Sequence, residues 1–332
     1  MDEKIRALAL LSGGLDSTLA ARLILDQGID VVALNFVSPF CLCSRGGCGA
    51  PEVARQLGVP LKVMSTGREY LNIVRRPKHG YGKNMNPCID CRIFMLKRAK
   101  RYAKEIGASF MFTGEVLDQR PMSQHYKTLR LIEEEAGLKG RILRPLSAKL
   151  LPETLAEKRR LVKREGLLGL RGRSRRPQLS LVKRFDFDCA CPSGGCLLAE
   201  KEFAARLRDL FDSKKRTTLN DVSLLKVGRH FRLEKSKIIV GRNEAENKTL
   251  HGLKSRGDYS FEILGCGSPV AILRGRKSRK AIAKAAALTA YYSDTKCEVP
   301  IVNFGKDDLE RSIRVPVPKE AEVEELRIRS RD

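Results

Sequence analysis

The sequence predicts an α/β protein: a doubly wound parallel sheet, then a basic linker, then a smaller α+β domain at the C-terminal end. Three observations predict it. Short apolar runs alternate with helix-length amphipathic segments over the first 115 residues or so, a dense run of Lys and Arg follows, and beyond that come several short strand-like segments around one strong helix. Residues 5–11 read as a buried strand, 17–27 as a helix, and "IDVVALNF" (29–36) as a second buried strand. A further round repeats the pattern: a helix over 51–57, the strand-like "PLKVMS", a helix over 92–106 with apolar Ile93, Leu96, Ala99, Ala103 and Ile106, and the strand-like "SFMFTG". Strands and helices in this alternation form a parallel sheet with helices on both faces, whose ligands sit at the carboxyl ends of the strands.

Residues 158–184 hold eleven Lys or Arg and one acid, Glu165, with "RGRSRRPQ" at their centre, and read as a basic linker or helical arm. Residues 200–211 look like an amphipathic helix closing the first domain. The second unit then carries strands around "HFRL", "KIIVGRN", "YSFEIL" and "PVAILRG", the helix "RKAIAKAAALTAYYS", and strands at "EVPIVNFG" and "SIRVPV". The expected division is 1–150 for the nucleotide-binding domain, 151–217 for the arm with a third cysteine segment, and 218–330 for the last domain.

At 332 residues with 42% hydrophobic content, each domain can bury a core. No run of eighteen apolar residues is present, and "MDEKIR" leads straight into a strand-like segment without the apolar stretch of a secretory signal, so a cytoplasmic, non-membrane protein is expected. A net charge of +25 concentrates polyanions and points to nucleic acid. The alternative is a highly charged surface of the thermophile kind, although such surfaces mix both signs in networks. The ten cysteines fall mostly in tight groups, which in a reducing compartment suggests metal or sulfur chemistry more than disulfides.

Between the first strand and the first helix stands "SGGLDS", Ser12 to Ser17, a turn whose N–H groups converge with the helix N-terminus on an anion. It is neither the GxxxxGK[ST] loop nor the GxGxxG fingerprint, and it carries no lysine, so Asp16 is expected to hold Mg²⁺ beside the phosphates. The string "LLSGGLDSTLAARLI" resembles the signature of the PP-loop ATP pyrophosphatases, matching SGGxDS at every fixed position. That resemblance implies an adenine-nucleotide alpha-hydrolase-like fold and cleavage of ATP between its α and β phosphates. A substrate oxygen attacks the α-phosphorus and pyrophosphate departs into the glycine loop. It implies ATP contacts at Leu11, Ser12, Gly13, Gly14, Leu15, Asp16 and Ser17, with adenine near Asn35 and Phe36.

"GKNMNPCIDCRIFMLKRAK" looks like the NPC-x-x-C segment of tRNA 2-thiouridine synthetases of the MnmA type and of related cluster-dependent thiolases. In those families a further cysteine about a hundred residues on completes the site. Cys196, in "PSGGCLLAE", lies 105 residues after Cys91 and resembles it. "FTGEVLDQRPMSQH" resembles the next substrate-facing loop, which implies that Gly114, Glu115, Gln119, Arg120, Ser123 and Gln124 line the site. His125 falls in the same loop.

Cys88 and Cys91 have the spacing to bind one metal, and a helix N-terminus there is expected to lower their pKa and favour thiolate. With Cys196 they would hold a [4Fe–4S] cluster with one iron open to sulfide. A structural zinc, or a cluster-free relay in which one cysteine carries a persulfide and another resolves it, are the alternatives. Cys41, Cys43 and Cys48 form a second candidate metal site, with Cys189 or Cys191 as a possible fourth ligand.

"KIIVGRNEAENKTL", "RKAIAKAAALTAYYSDTK" and "VPIVNFGKDDLERSIRVPVP" together resemble the RNA-binding domain of NFACT-type proteins, over roughly residues 224–328. Where that family has Pro-Gly-Ser-His, this chain reads Cys266-Gly267-Ser268-Pro269, without the histidine. Phosphate contacts are expected from Arg171, Arg173, Arg175 and Arg176 in the arm. In the last domain they are expected from Arg229 and Arg242, within a basic set that includes Arg232, Lys237, Lys248, Arg274 and Lys280, interleaved with Phe231 and Tyr259.

The expected activity is a tRNA sulfurtransferase that adenylates a uridine carbonyl and replaces the AMP by sulfur, 2-thiouridine being favoured. Its partners would be tRNA and a sulfur-donor protein or inorganic sulfide. Catalysis is expected from Asp16, Cys88, Cys91 and Cys196. The rival readings are a small-molecule amidotransferase or ligase, and a non-catalytic RNA-binding protein of tRNA or ribosome surveillance.

Overall fold

The computed structural model describes residues 5–41, 49–185 and 195–330. Its contacts divide the chain into two compact units, Met1–Ala199 and Glu200–Asp332.

The first unit runs β1 (Arg6–Leu10), α1 (Leu15–Leu25), β2 (Asp30–Val37), α2 (Ala50–Gln56), β3 (Leu61–Ser65), α3 (Gly67–Arg75), α4 (Cys88–Glu105), β4 (Phe110–Thr113), α5 (Tyr126–Ala136), β5 (Ile142–Leu143), α6 (Leu155–Lys158) and α7 (Arg176–Phe185). The strands form one parallel sheet in the order β3-β2-β1-β4-β5, with Leu8 opposite Val32 on one side and Met111 on the other. Successive side chains of a strand point to opposite faces, and here both faces are covered. Ala7, Ala9, Phe110 and Phe112 pack with Leu15, Leu19 and Ile24 of α1. Leu8 and Met111 pack on the other face with Leu96 and Ala99 of α4 and Ile132 of α5.

Strand order reverses about β1 and β4, so the carboxyl ends of these two strands form the crevice where such sheets bind ligands. Helix α4 begins at Cys88, one turn before the residue 92 that its apolar periodicity marks. Pro87 occupies the cap, and Asp90 in the first turn suits the positive end of the helix dipole while accepting N–H bonds from Lys78 and His79 at 3.1 and 3.0 Å. The basic segment is folded as well. Thr154 and Glu157 form a capping box on α6, and α7 lays Leu181, Val182 and Phe185 against the α1 face of the core.

The second unit runs α8 (Lys201–Ser213), α9 (Leu219–Leu224), β6 (Arg229–Leu233), β7 (Ser236–Val240), α10 (Glu244–Leu253), β8 (Tyr259–Glu262), β9 (Ala271–Gly275), α11 (Arg279–Tyr291), β10 (Ile301–Gly305), β11 (Arg311–Arg314) and α12 (Glu320–Leu326). Its six strands are antiparallel, in the order β11-β10-β8-β9-β7-β6. Alanine-rich α11, capped by Ser278, lies close on one face over Phe231, Phe261 and Leu273, while α9 and α10 cover Ile239 and Ile272 on the other. Helix α8 belongs to this unit: its Asp209 takes Arg232 at 2.7 Å and buried Lys237 at 3.0 Å. Burial pushes Lys237 down to about 8, against the pull of Asp209.

No helix among the described residues is long and apolar enough to cross a membrane.

A Cβ at Gly114 would lie 2.5 Å from the Ser17 backbone, which has no room to yield. Gly114→Ala is expected to cost at least about 2 kcal/mol in urea unfolding followed by circular dichroism. Gly252→Ala, with nothing within 4 Å, should leave the protein no less stable, the gain being up to about 1 kcal/mol.

Candidate active site

The glycine turn is built by its own side chains. Ser17 Oγ donates to the Gly14 carbonyl at 2.9 Å, the Ser12 and Ser17 hydroxyls meet at 3.0 Å, and Thr18 Oγ1 donates to the same carbonyl at 3.1 Å. Gly13 has φ +75°, and a Cβ there would meet the Ala50 nitrogen at 2.4 Å. No side chain caps α1, so the first turn of that helix faces the cavity with its N–H groups available to an anion.

The small cavity here, about 70 Å³, is lined by Arg92, Arg120 and Arg175 beside Ser12, Gly14 and Asp16. These guanidinium groups, and not a lysine, supply the positive charge. Asp16 Oδ2 accepts from Gln119 Nε2 at 2.8 Å, while its Oδ1 is buried without a partner among the described residues. Arg92 follows Cys88 by four residues on α4 and so shares its face; that spacing is the signal by which sequence could have found it.

Glu115 is an anchor. It is 4% exposed and receives Thr113 Oγ1 at 3.0 Å and Arg144 Nε at 3.1 Å on one oxygen, with Arg92 at 3.4 Å from the other. Arg144, equally buried, also pairs with Glu133. Burial raises the Glu115 pKa, but the charges of Arg92 and Arg144 outweigh it and hold the carboxyl below the ordinary range. Leu11 and Leu15 are buried, and Asn35 ties β2 to β1 by donating to the Leu11 carbonyl at 2.8 Å. Asn35 and Phe36 nevertheless line the adjoining cavity, as does Ser123, whereas Gln124 lines the smaller one and buries an Oε1 that has no partner among the described residues. His125 is engaged with Asp118 at 2.7 Å.

That adjoining cavity, about 240 Å³, shares Ser12, Arg92 and Arg120 with the first and carries Cys41, Cys88, Cys91 and Cys196. Cys196 arrives from far along the chain because its segment is pinned on both sides. The backbones of Cys41 and Cys196, both free thiols, pair as an isolated antiparallel β-bridge, Leu197 N–H bonds the Phe40 carbonyl at 2.9 Å, and Met85 N–H bonds the Leu198 carbonyl at 3.0 Å. Buried Tyr70, edge-on to Phe40, hydrogen-bonds Cys91.

The expected [4Fe–4S] cluster and its zinc alternative are corrected by this geometry. Among the described residues no group of three or more His, Cys, Asp or Glu side chains is placed to hold a metal ion, although Cys88, Cys91 and Cys196 open on one cavity. The three thiols are also desolvated: burial raises Cys88 and Cys91 above their ordinary range and pushes Cys196 up to about 12. The lowering expected from the start of α4 is outweighed. Cys43 and Cys48 of the second candidate metal site, with Cys189 and Cys191, lie outside the described residues.

The residues expected on RNA divide. Arg173 and Arg176 are exposed, Arg175 lines the small cavity, and Arg171 pairs with Asp118 at 2.6 Å. In the second unit Arg229 lies over the Tyr292 ring at 4.3 Å, and Arg242 faces Glu246 at 3.5 Å. Arg274 is held by Asp221 and Asp258, and Phe231 is core.

Replacing Arg144 by Met would take the cation from buried Glu133 and leave buried Glu115 with Arg92 alone, and is expected to cost about 3–5 kcal/mol in chemical unfolding. Because the folded-state pKa of Glu115 is depressed, its stabilisation is fully present above its unfolded value and is lost as pH falls through the folded value. An acid titration of the unfolding midpoint checks that sign: Glu115→Gln should flatten the acidic limb. With iodoacetamide near pH 8, exposed Cys266 and Cys297 should alkylate well before Cys196, read by peptide mass spectrometry.

Residues 3–150 match the family described as thiamine biosynthesis protein (ThiI), and residues 228–327 match the NFACT protein RNA-binding domain. A tRNA-specific 2-thiouridylase MnmA from Coxiella burnetii is 28% identical over 131 residues, covering 36% of either chain. A probable tRNA sulfurtransferase from Thermococcus kodakarensis is 30% identical over 150 residues, covering 42% of this chain and 36% of its own. A solved 4-thiouridine synthetase–RNA complex with bound ATP is 29% identical, with a TM-score of 0.33, covering 42% of this chain and 36% of that one. The chain thus spans little more than a third of the length of these curated relatives. The glycine turn, Cys88, Cys91 and Arg92 all lie within a domain similar to the ThiI family of PP-loop sulfurtransferases, with Cys196 beyond the matched residues, and that domain is fused in this chain to a C-terminal domain similar to the NFACT-type RNA-binding domain.

Proposed function

We propose that the chain thiolates a uridine of tRNA with consumption of ATP. The observation that carries this reading is that the glycine turn and Cys88, Cys91 and Cys196 open on adjoining cavities that share Ser12, Arg92 and Arg120. A kinase has no use for cysteines beside its phosphate loop, and a small-molecule ligase has none for an RNA-binding domain. The relatives named as tRNA thiolases support the same reading.

ATP would lie with its phosphates on the turn and its adenine toward Asn35 and Phe36. The open Oδ1 of Asp16 and the first turn of α1 fit a triphosphate and the Mg²⁺ that accompanies it, since Mg²⁺ at such sites takes few protein ligands and completes its shell with phosphate and water. The uracil carbonyl oxygen attacks the α-phosphorus, and the bond to the β-phosphate oxygen breaks. Pyrophosphate then collects charge where N–H donors and guanidinium groups already stand. One of the three cysteines carries a persulfide received from a donor protein. Its terminal sulfur attacks the activated carbon, and AMP leaves with the former carbonyl oxygen. A second cysteine attacks the inner sulfur, freeing the thiocarbonyl and leaving a disulfide that an external dithiol reduces. The target base must leave its stack to enter the cavity, and 2-thiouridine is the favoured product. The second unit and the exposed Arg173 and Arg176 would contact phosphates, setting affinity and register more than base choice.

The test is pyrophosphate release and nucleoside mass spectrometry on tRNA incubated with ATP and a persulfide donor. Asp16→Ala should cut pyrophosphate release at least ten-fold. Cys91→Ala and Cys196→Ala should still release pyrophosphate while the thionucleoside disappears. Full pyrophosphate release without RNA, or unchanged thionucleoside in all three variants, would contradict the proposal.

A further inference from the structure

Asp16 is held from the basic arm through a two-amide relay. Its Oδ2 accepts from Gln119 Nε2 at 2.8 Å, and Gln119 Oε1 in turn accepts from Gln178 Nε2 at 3.2 Å. Gln178, on the first turns of α7, is 1% exposed and occupies a position in the same stripe as Leu181, Val182 and Phe185 that faces the core. A buried polar side chain within an apolar stripe is costly unless it is bonded.

The polarity of the relay follows from chemistry. An ionised carboxylate only accepts, so Gln119 must turn its NH₂ to Asp16, and its carbonyl is left to face Gln178, which must then donate. Both outer ends are unsatisfied: Asp16 Oδ1 toward the cavity and Gln178 Oε1 inside the arm are buried without partners among the described residues.

We propose that Gln178 is a positioning residue for Asp16, so that the seating of α7 on the first unit and the presentation of Asp16 to a nucleotide are one event. The inference rests on the reading that Asp16 serves the triphosphate. The arm is therefore part of the ATP site: Arg175, three residues before Gln178, lines the small cavity, while Arg173 and Arg176 face solvent where a polyanion can reach them.

The test uses the full chain, a fluorescent ATP analogue and thermal unfolding, with Gln178→Met as the near-isostere lacking a donor and Gln178→Glu as the change to a side chain that can only accept. Both variants should bind the analogue at least ten-fold more weakly while unfolding cooperatively. The carboxylate introduced by Gln178→Glu would also force the Gln119 amide to turn its oxygen toward Asp16. The Tm loss from Gln178→Glu should therefore be smaller in an Asp16→Asn background, where the asparagine can donate to a reversed relay. Analogue affinity within two-fold of the parent in both variants, or additive Tm shifts, would overturn the relay. A parent protein that binds no analogue would overturn it together with the nucleotide reading. A parent that binds the analogue and shows the coupling, yet forms no thionucleoside, would keep the relay and sink the proposed thiolation alone.

Discussion

Everything at the candidate site depends on a backbone packed against a backbone. The loop leaving β4 touches the N-terminus of α1 at Gly114, and the glycine turn touches the start of α2 at Gly13; a methyl group at either would fall within 2.5 Å of main-chain atoms. Main chain cannot swing aside as a long side chain can. The turn is thereby clamped from two sides before any ligand arrives, and a phosphate entering it loses little further entropy to ordering. The same contact brings the loop carrying Glu115, Gln119 and Arg120 over the carboxyl ends of β1 and β4.

Behind that loop lies a dry cluster of charge, Arg144 between Glu115 and Glu133 with Arg92 beyond. Such a cluster adds little net stability over a hydrophobic equivalent, but breaking it is strongly destabilising, so it fixes one arrangement of the loop against its alternatives. Burial acts on the neighbouring cysteines as well. Desolvation raises all three thiols, while the charges of Arg92 and Arg120 pull Cys88 the other way, toward the thiolate that sulfur transfer uses.

The parallel sheet was legible because strands buried on both faces read as unbroken apolar runs, as "IDVVALNF" does. The glycine turn was legible because few other arrangements need two glycines and an aspartate between a strand and a helix. Helices α3 and α5 went unread: each is short and highly charged, and α5 follows directly on a loop rich in polar side chains. Charge left α7 readable only as a basic linker or helical arm, its buried stripe being interrupted by Gln178. The basic face of the second unit reads as larger in sequence than it is in space, since the acidic partners of Arg232 and Arg274 lie 16 to 53 residues away along the chain. Glu115 was legible as a residue of the site but not as an anchor, because Arg144 stands 29 positions on.

In the proposed reaction the oxygen of a uracil carbonyl attacks the α-phosphorus of ATP at the glycine turn. Isotope transfer tests it most directly. With tRNA whose uracil carbonyls carry ¹⁸O, incubated with ATP, a sulfur donor and the full chain, each AMP released in step with thionucleoside should carry one ¹⁸O, with none in pyrophosphate. Thionucleoside formed alongside unlabelled AMP, or label found in phosphate or pyrophosphate, would contradict it.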